Sequence, residues 1–373
     1  MKTEHILIIC PFFRPNIGGV ETHLDLLTQY LSRHNYQTTV LTYKPITTQV
    51  KDYLKLEKTK NLTIHRYWWF GQKIFDKTTP YPLLQFLYIT PGLLLHTFIY
   101  LAKNYTKIDT IHAHGFAAGF IVSFCQIFFK TKNIVISTHY IYPDLDPKKL
   151  STKILRQTFS KFNQILTVSQ TSTRQLTRIG LNPHQMLIYR HWLDPKIYSA
   201  KTSKTHNFQI LFVGRIIKMK GVFNLLKAAQ KLPQIEFNLI GNGPDYQKLS
   251  SLSKNQKNFH LLGKMKPIDI IPHYHQASLT ILPSITPEAQ PVVIMESLMC
   301  GTPIICTRLG SASEMYTTKV GITIDPTVKN IYSTINHLYQ NPNILSTYQK
   351  NCRPFALSRY SPKNAQKIIQ TYT

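Results

Sequence analysis

The chain has 373 residues, 43% of them hydrophobic, which is enough for two domains and too apolar for a disordered protein. Its 44 Lys and Arg against 17 Asp and Glu give a net charge of +27, which implies acidic partners: phosphorylated ligands, anionic lipid or nucleic acid. The cations are spread over the whole chain, and no helix-turn-helix, RNA-recognition or zinc pattern accompanies them, so charge alone carries the nucleic-acid reading.

Met1 to Glu4 leads straight into an apolar run, HILIIC, with no leader expected before it. The next segment, PFFRPNIGGVETHLDLLTQYLSRH, turns at Gly18-Gly19 and then spaces Val20, Leu24, Leu27 and Leu31 as one face of a helix. Strands TTVLTY and LTIHRYW follow. Residues 78–102 then contain no Asp, Glu, Lys or Arg. On length this stretch reads as a membrane span, as a core helix pair broken at Pro91-Gly92, or as an element inserted in a membrane surface. Tyr81, Phe86 and Tyr88 with flanking lysines favour the interfacial version over the spanning one. Strand IDTIHAH, the buried helix FAAGFIVSFCQIFF, strand NIVIST running into His139, strand QILTVS and MLIYR complete a first half that ends near residue 190. A hinge is expected at 192–205, where periodicity lapses.

The second half restarts with FQILFVG and repeats the strand-helix alternation through GVFNLLKAAQKL, EFNLIG, PDYQKLSSLS, NFHLLG, PIDIIPHYHQA and SLTILP. Such alternation predicts an α/β chain with two doubly wound parallel sheets. Arg215 directly follows a buried strand and Gly214, so it projects from the carboxyl end of a sheet; Lys220 lies five residues on, near a helix start. Two cations beside a helix dipole suit a diphosphate. Gly241-Asn242-Gly243-Pro244 allows close backbone approach after another strand.

The stretch LPSITPEAQPVVIMESLMCGTPIICTRLGSASE then places Glu288 in a loop, Pro291 where a helix can start, and Glu296 about a turn inside that helix. The free N–H groups at the helix start, Val292 among them, make an anion site, and the two carboxylates can accept hydrogen bonds from sugar and ribose hydroxyls. Cys10, Cys125, Cys300, Cys306 and Cys352 form no CxxC, which fits buried free thiols in a reducing compartment. His112 and His114 are expected to line a cleft or to sit at the core edge, without a third metal ligand. Asp144-Leu145-Asp146 is a DxD in a Pro-flanked loop, where loop acids are common.

Taken together, Gly18-Gly19, His139, GRIIKMKG at 214–221, GNGP at 241–244, the Glu288/Glu296 pair and CGTP at 300–303 resemble the GT-B glycosyltransferases of the large retaining family 4. The resemblance covers nearly the whole chain. It implies two Rossmann-like domains facing across a cleft: residues 1–190 for the acceptor, 205–352 for the nucleotide-sugar donor, and 353–373 returning to the first domain through Tyr360 and Ile368-Ile369.

The resemblance also implies roles. Arg215 and Lys220 would hold the donor diphosphate, Glu296 the ribose and Glu288 the sugar hydroxyls, with Gly214, Gly241, Pro291 and Val292 completing the donor site. Gly18 and Gly19 would let the first loop close over the phosphates, and His139 would lie beside the anomeric carbon; His139, Glu288, Arg215 and Lys220 form the expected catalytic set. With two cations present, no divalent metal or other cofactor is demanded.

The expected donor is a UDP- or GDP-sugar. The expected acceptor is a lipid-linked or cell-envelope glycan, reached from the cytoplasm with peripheral contact to an anionic membrane. Nucleic acid is not an expected partner. A sugar-nucleotide 2-epimerase of the same fold is the nearer alternative, and a nucleic-acid-binding protein the more distant one. Three departures stand out: Gln290-Pro291 where the family often has Phe-Gly, Ser311 in place of a second glycine before Glu314, and RHWLDP at 190–195.

Overall fold

A computed structural model describes residues 4–48, 50, 52–79, 81–142, 145–199 and 207–372. The chain forms two compact units, residues 1–190 with 362–373, and residues 191–361. In the first unit the strands are β1 (His5–Ile9), β2 (Gln37–Tyr43), β3 (Leu56–Lys58), β4 (Leu62–Tyr67), β5 (Thr110–His114), β6 (Asn133–Ser137), β7 (Gln164–Thr167) and β8 (Met186–Ile188). Its helices are α1 (Gly19–Arg33), α2 (Gln72–Thr78), α3 (Pro82–Asn104), α4 (Gly115–Cys125), α5 (Leu150–Phe159) and α6 (Gln170–Arg178). The sheet order is β3-β4-β2-β1-β5-β6-β7-β8, parallel except for β3.

The second unit alternates β9 (Gln209–Val213), α7 (Val222–Ala229), β10 (Glu236–Ile240), α8 (Tyr246–Ser253), β11 (Phe259–Gly263), α9 (Pro267–Gln276), β12 (Leu279–Leu282), α10 (Val292–Met299), β13 (Ile304–Thr307), β14 (Gly321–Ile324), α11 (Val328–Gln340) and α12 (Pro342–Arg359). Its parallel sheet runs β11-β10-β9-β12-β13-β14. The period of two along β9 explains its two cores: Ile210 and Phe212 join one hydrophobic cluster while Leu211 and Val213 join the other. In each sheet the order reverses beside the unit's first strand, between β1 and β5 and between β9 and β12. Crevices of this kind, at carboxyl strand ends, are where doubly wound sheets bind ligands.

Two expectations are corrected. Residues 82–104 form one continuous helix, not a pair broken at Pro91-Gly92. Proline interrupts the backbone ladder, and the Tyr43 hydroxyl inserts there, donating to Ile89 O (2.6 Å) and accepting from Leu93 N (2.5 Å). Gly92 is needed for docking: a Cβ there would lie 2.3 Å from the Trp69 ring. The Pro-Gly pair thus seats α3 on the sheet.

The second correction concerns the tail. Residues 353–361 stay with the second unit, and only 362–373, carrying α13 (Asn364–Ile369), join the first. Arg353 holds α12 in place by donating to the carbonyls of Tyr198, Met299 and Pro195. Tyr360 is fully buried in the second unit's core, with its hydroxyl on Met315 O. Ile368 is buried in the first unit, as part of α13. Part of the expected hinge, 200–206, lies outside the described residues, whereas Trp192 and Leu193 are buried. All five cysteines are free and buried.

Candidate functional site

The second unit's site is built where β9 and β12 end side by side. Gly214, the first residue after β9, approaches Gly241 after β10 so closely that a Cβ on Gly241 would lie 1.8 Å from Gly214 O, and Gly241 adopts φ +147°. Only glycine permits both the approach and the dihedral. The loop after β9 is pinned to the loop after β10 by Ile216 N on Asn242 O (3.0 Å), Asp245 N on Ile216 O (3.1 Å) and Lys218 N on the Asp245 carboxylate (2.6 Å). A short 3-10 turn, Lys218–Lys220, then ends at Gly221, whose φ is +74° and whose Cβ would collide with Pro283 O.

That close approach brings the loop after β9 against the loop after β12. Lys220 Nζ pairs with Glu288 Oε1, and Ser284 Oγ donates to the same oxygen at 2.6 Å. Both charged side chains are mostly buried, at 23% and 14% exposure, so the pair is fixed rather than solvent-averaged. Arg215 is exposed, and among the described residues its guanidinium makes no hydrogen bond or ion pair. Two neighbouring loops therefore supply one held cation, one available cation and one oriented carboxylate.

Glu288 is also held through its backbone. Ser311 donates from N to Glu288 O (2.8 Å) and from Oγ to Ala289 O (2.8 Å). Gly310 carries the left-handed turn at φ +79°, so Ser311, at φ −113°, needs no glycine and uses its hydroxyl to brace the loop. Pro291, at φ −65°, is the cap residue before α10 and Val292 its first helical residue; Gln290 accepts from His191 N at 3.2 Å. Proline supplies no N–H, so the α10 end offers one donor fewer than a glycine there would.

Glu296 lies a turn into α10, as expected, and its two oxygens accept from Tyr198 (3.0 Å) and Tyr274 (2.7 Å). Burial raises its carboxyl pKa, while the hydroxyls of Tyr274 and Tyr198 act in the opposite direction. Each oxygen keeps a second lone pair for a further hydroxyl. Sequence reasoning missed Ser284, Asp245, Tyr198 and Tyr274, because they come from separate elements, Tyr274 from within α9 and the others from loops, with no local motif.

Gly18, Gly19 and His139 belong to the first unit. The loop after β1 is braced by Thr47, which donates from N and Oγ to Asn16 Oδ1 (3.0 and 2.8 Å), and by Ile17 N on Thr48 Oγ (3.0 Å). Gly18 is extended (φ 178°) and precedes α1, which begins at Gly19. A Cβ on Gly18 would meet the Glu21 carboxylate at 2.2 Å, and burial raises the pKa of Glu21. His139 is buried: Tyr189 Oη lies 3.1 Å from its Nδ1 and His114 Nδ1 lies 3.1 Å from its Nε2. Burial pushes the pKa of His139 and of His112 down to about 3, so both are neutral near pH 7.

His23 joins this cluster with ring centroids 5.8 Å from His139 and 6.4 Å from His114. His112 and His114 thus sit in the core rather than on a cleft wall. Among the described residues no group of three or more His, Cys, Asp or Glu could hold a metal ion; Asp144 of the DxD lies outside them. A 650 Å³ cleft lined by Glu4, Asp109 and Asn133 lies at the amino ends of the first sheet, and none of the candidate residues lines it.

Comparison with known proteins shows the family. Residues 17–195 match the family model for Glycosyltransferase Family 4, and residues 195–355 match that for Glycosyl transferases group 1. The chain belongs to the GT-B glycosyltransferases of family 4. This glycosyltransferase is 25% identical over 345 residues to one of the subunits of human phosphatidylinositol N-acetylglucosaminyltransferase, covering 88% of this chain and 67% of that one. It is also 25% identical over 400 residues to the uncharacterized glycosyltransferase MJ1069 of Methanocaldococcus jannaschii, covering 98% and 97%.

Among solved structures, the glycosyltransferase superposes on sucrose-phosphate synthase from Thermosynechococcus elongatus with TM-score 0.81 and 16% identity, covering 99% and 98%. Anabaena Alr3699/HepE in complex with UDP and glucose gives TM-score 0.75 at 19% identity, covering 99% of both chains. These likenesses place the two Rossmann-like units in the GT-B fold. The enzyme is a glycosyltransferase of the hexosyltransferase type.

Proposed function

We propose that this enzyme is a retaining glycosyltransferase that moves a sugar from a nucleotide diphosphate sugar, a UDP-sugar foremost and a GDP-sugar second, to a lipid-linked or cell-envelope glycan. The observation that carries the donor half is the Lys220–Glu288 pair at the β9/β12 switch point, with Arg215 beside it. Lys220 and Arg215 neutralise the diphosphate, Glu288 accepts from sugar hydroxyls and Glu296 from the ribose. Gly214 and Gly241 admit the phosphates close to backbone N–H groups, together with Val292 at the α10 start. UDP in a structural neighbour favours uridine.

In the reaction, the bond between the anomeric carbon and the phosphate oxygen breaks while the acceptor oxygen bonds that carbon from the same face. The departing phosphate takes the acceptor proton, and configuration is retained. Charge grows on the diphosphate, so preorganised cations stabilise the transition state more than the ground state.

The acceptor half rests on α3. Leu83, Leu84, Leu87, Pro91, Leu95 and Ile99 are exposed and fall within an arc of about 160° on the helix at 3.6 residues per turn. The helix is long and apolar enough to cross a membrane by length and composition, but its other side carries Tyr88, Ile89, Leu93 and Leu101 into the core. An outward leucine face on a docked helix suits insertion into one leaflet, not passage through it. Exposed Lys73, Lys77, Lys103 and Lys107 at its ends suit anionic headgroups, and Trp68 stacks under Lys44 at 5.1 Å. The phosphatidylinositol in the human relative's name agrees with this surface. The enzyme then works from the cytoplasm as a peripheral protein.

The test is a transfer assay with UDP- and GDP-sugars, with and without vesicles carrying glycolipid or polyprenyl-phosphate-linked acceptors, followed by proton NMR of the product's anomeric centre. Retained configuration and acceptor-dependent turnover are expected. Inverted product would remove the mechanism, and acceptor-independent conversion of the nucleotide sugar would favour the epimerase.

A further inference from the structure

The two glutamates of the second unit's site are held by different chemistry. Glu288 is paired with the ammonium of Lys220, whereas among the described residues no Lys, Arg or His forms an ion pair with Glu296. Phenols take its two oxygens, one each: Tyr198 Oη donates to Oε1 (3.0 Å) and Tyr274 Oη to Oε2 (2.7 Å). Both tyrosines are buried, Tyr274 completely, while Glu296 itself retains some exposed surface.

Each tyrosine is anchored in turn. Thr302, from the CGTP segment, donates from Oγ1 to Tyr274 O (2.6 Å), and Ser297 Oγ donates to Thr302 O (2.7 Å). Arg353 of α12 donates to Tyr198 O and to Pro195 O, and the N–H groups of Ile197 and Tyr198 close a turn on Asp194 O. The last torsion of a glutamate is soft, so its own rotamer leaves the plane of the carboxylate undefined. Two donors fixed from separate elements, one on each oxygen, define that plane.

An anion with no cation beside it is costly to keep in a largely buried place. It also keeps its acceptor strength for incoming hydroxyls. Each oxygen has a second lone pair left, and two parallel acceptors match a pair of adjacent hydroxyls. We infer that Tyr198 and Tyr274 are positioning residues for donor specificity: by fixing the plane of the Glu296 carboxylate they aim its remaining lone pairs at the 2′ and 3′ hydroxyls of the donor ribose. The enzyme thereby selects a ribonucleotide over a deoxyribonucleotide. The inference rests on the reading of Glu296 as the ribose acceptor.

The experiment is calorimetric titration of the full-length enzyme with UDP, 2′-deoxy-UDP and 3′-deoxy-UDP, or with the guanosine series if the transfer assay selects GDP. The wild type is expected to bind the ribonucleotide about tenfold more tightly than either deoxy analogue. Glu296→Ala should bind all three alike. Tyr198→Phe and Tyr274→Phe each remove one hydroxyl and keep the ring. Each should reduce the preference to about threefold, chiefly by weakening the ribonucleotide. Melting temperatures report whether the variants are folded, and Tyr198→Phe serves alone if the fully buried Tyr274 does not tolerate the change.

An undiminished preference in the phenylalanine variants, or an equal loss of affinity for all three nucleotides, overturns the inference; if Glu296→Ala still abolishes the preference, the ribose reading stands without it. A wild type that does not distinguish the three nucleotides, or a Glu296→Ala variant that still does, removes the ribose reading and the inference together.

Discussion

The loops at the two switch points use opposite means to hold polar groups. After β9 and β12, an ammonium and a carboxylate meet, with a second cation exposed beside them. After β5 and β6, His139 lies buried and neutral, in hydrogen-bond contact with His114 and Tyr189. A site meant for a doubly charged phosphate group needs formal charge already in place, because reorganising water and side chains during reaction raises the barrier. On the reading proposed above, a site for sugar hydroxyls beside an anomeric carbon that turns electron-poor needs shape and directed hydrogen bonds without a further cation, which buried neutral rings provide. The first arrangement is sensitive to removal of a single charge, the second to removal of a single hydrogen.

Removing Lys220 tests this contrast most severely. Lys220→Ala takes away the held cation and leaves Glu288 mostly buried without its partner, so two effects add. A fall in kcat/KM of about 10²–10³ is expected, comparable to losing one donor to a developing oxyanion. The measurement is steady-state transfer, with the melting shift induced by UDP read in parallel. If the variant retains full activity and a full shift, the pair is structural and the donor site lies elsewhere.

The two faces of α3 give a second contrast, between leucines that pack on the sheet and leucines that face outward. Leu87→Glu and Leu95→Glu change only the outward set, so the melting temperature should hold within about 2 °C, as for other surface changes of less than about 0.5 kcal/mol. Co-sedimentation with vesicles containing anionic lipid should weaken about tenfold per substitution, since each removes buried apolar area and adds like charge to that of the headgroups. Transfer to a water-soluble acceptor should be unaffected. Undiminished sedimentation would show that lysines alone bring the enzyme to the surface.

Much of this architecture was readable from order and spacing. The alternation of short apolar runs with helical periods specified two parallel sheets, and Gly214, Gly241, Arg215 and Lys220 could be placed at strand ends because a strand's exit fixes where the next residues lie. What sequence could not show was which distant groups share a hydrogen bond. Tyr198 and Tyr274, 98 and 22 residues before Glu296, meet on its carboxylate, and Lys220 reaches Glu288 across 68 residues. The Pro91-Gly92 break was misread for a related reason. Propensity ends a helix there, but Tyr43, 50 residues from Leu93, fills the gap in its ladder. Tyr360 likewise looked like a packing residue for the first unit, and the core contacts of α12 hold it in the second.

The smallest effect expected is a titration that separates the two kinds of site. His139 and His112 have pKa values near 3 in the folded chain against about 6.5 unfolded. Between these values the unfolded state binds more protons, so the stability they contribute is complete above pH 6.5 and is lost as pH falls toward 3. Each costs at most about 1.4 kcal/mol per pH unit in that window. Glu296 has the opposite sign: burial raises its pKa, so its charged form is a burden that acid relieves. Glu21 and Asp25 in the first unit, also raised by burial, act in the same sense as Glu296. Comparison with a variant isolates the histidine from these carboxylates. His139→Gln removes one titrating group, so its melting temperature should fall less steeply between pH 6.5 and 5 than that of the wild type. The expected gap is about 2–4 °C per pH unit. Parallel pH profiles would mean that the imidazole accepts its proton as readily in the folded protein as in the open chain. The neutral hydrogen-bonded cluster, and with it the distinction drawn between the two switch points, would then have no basis.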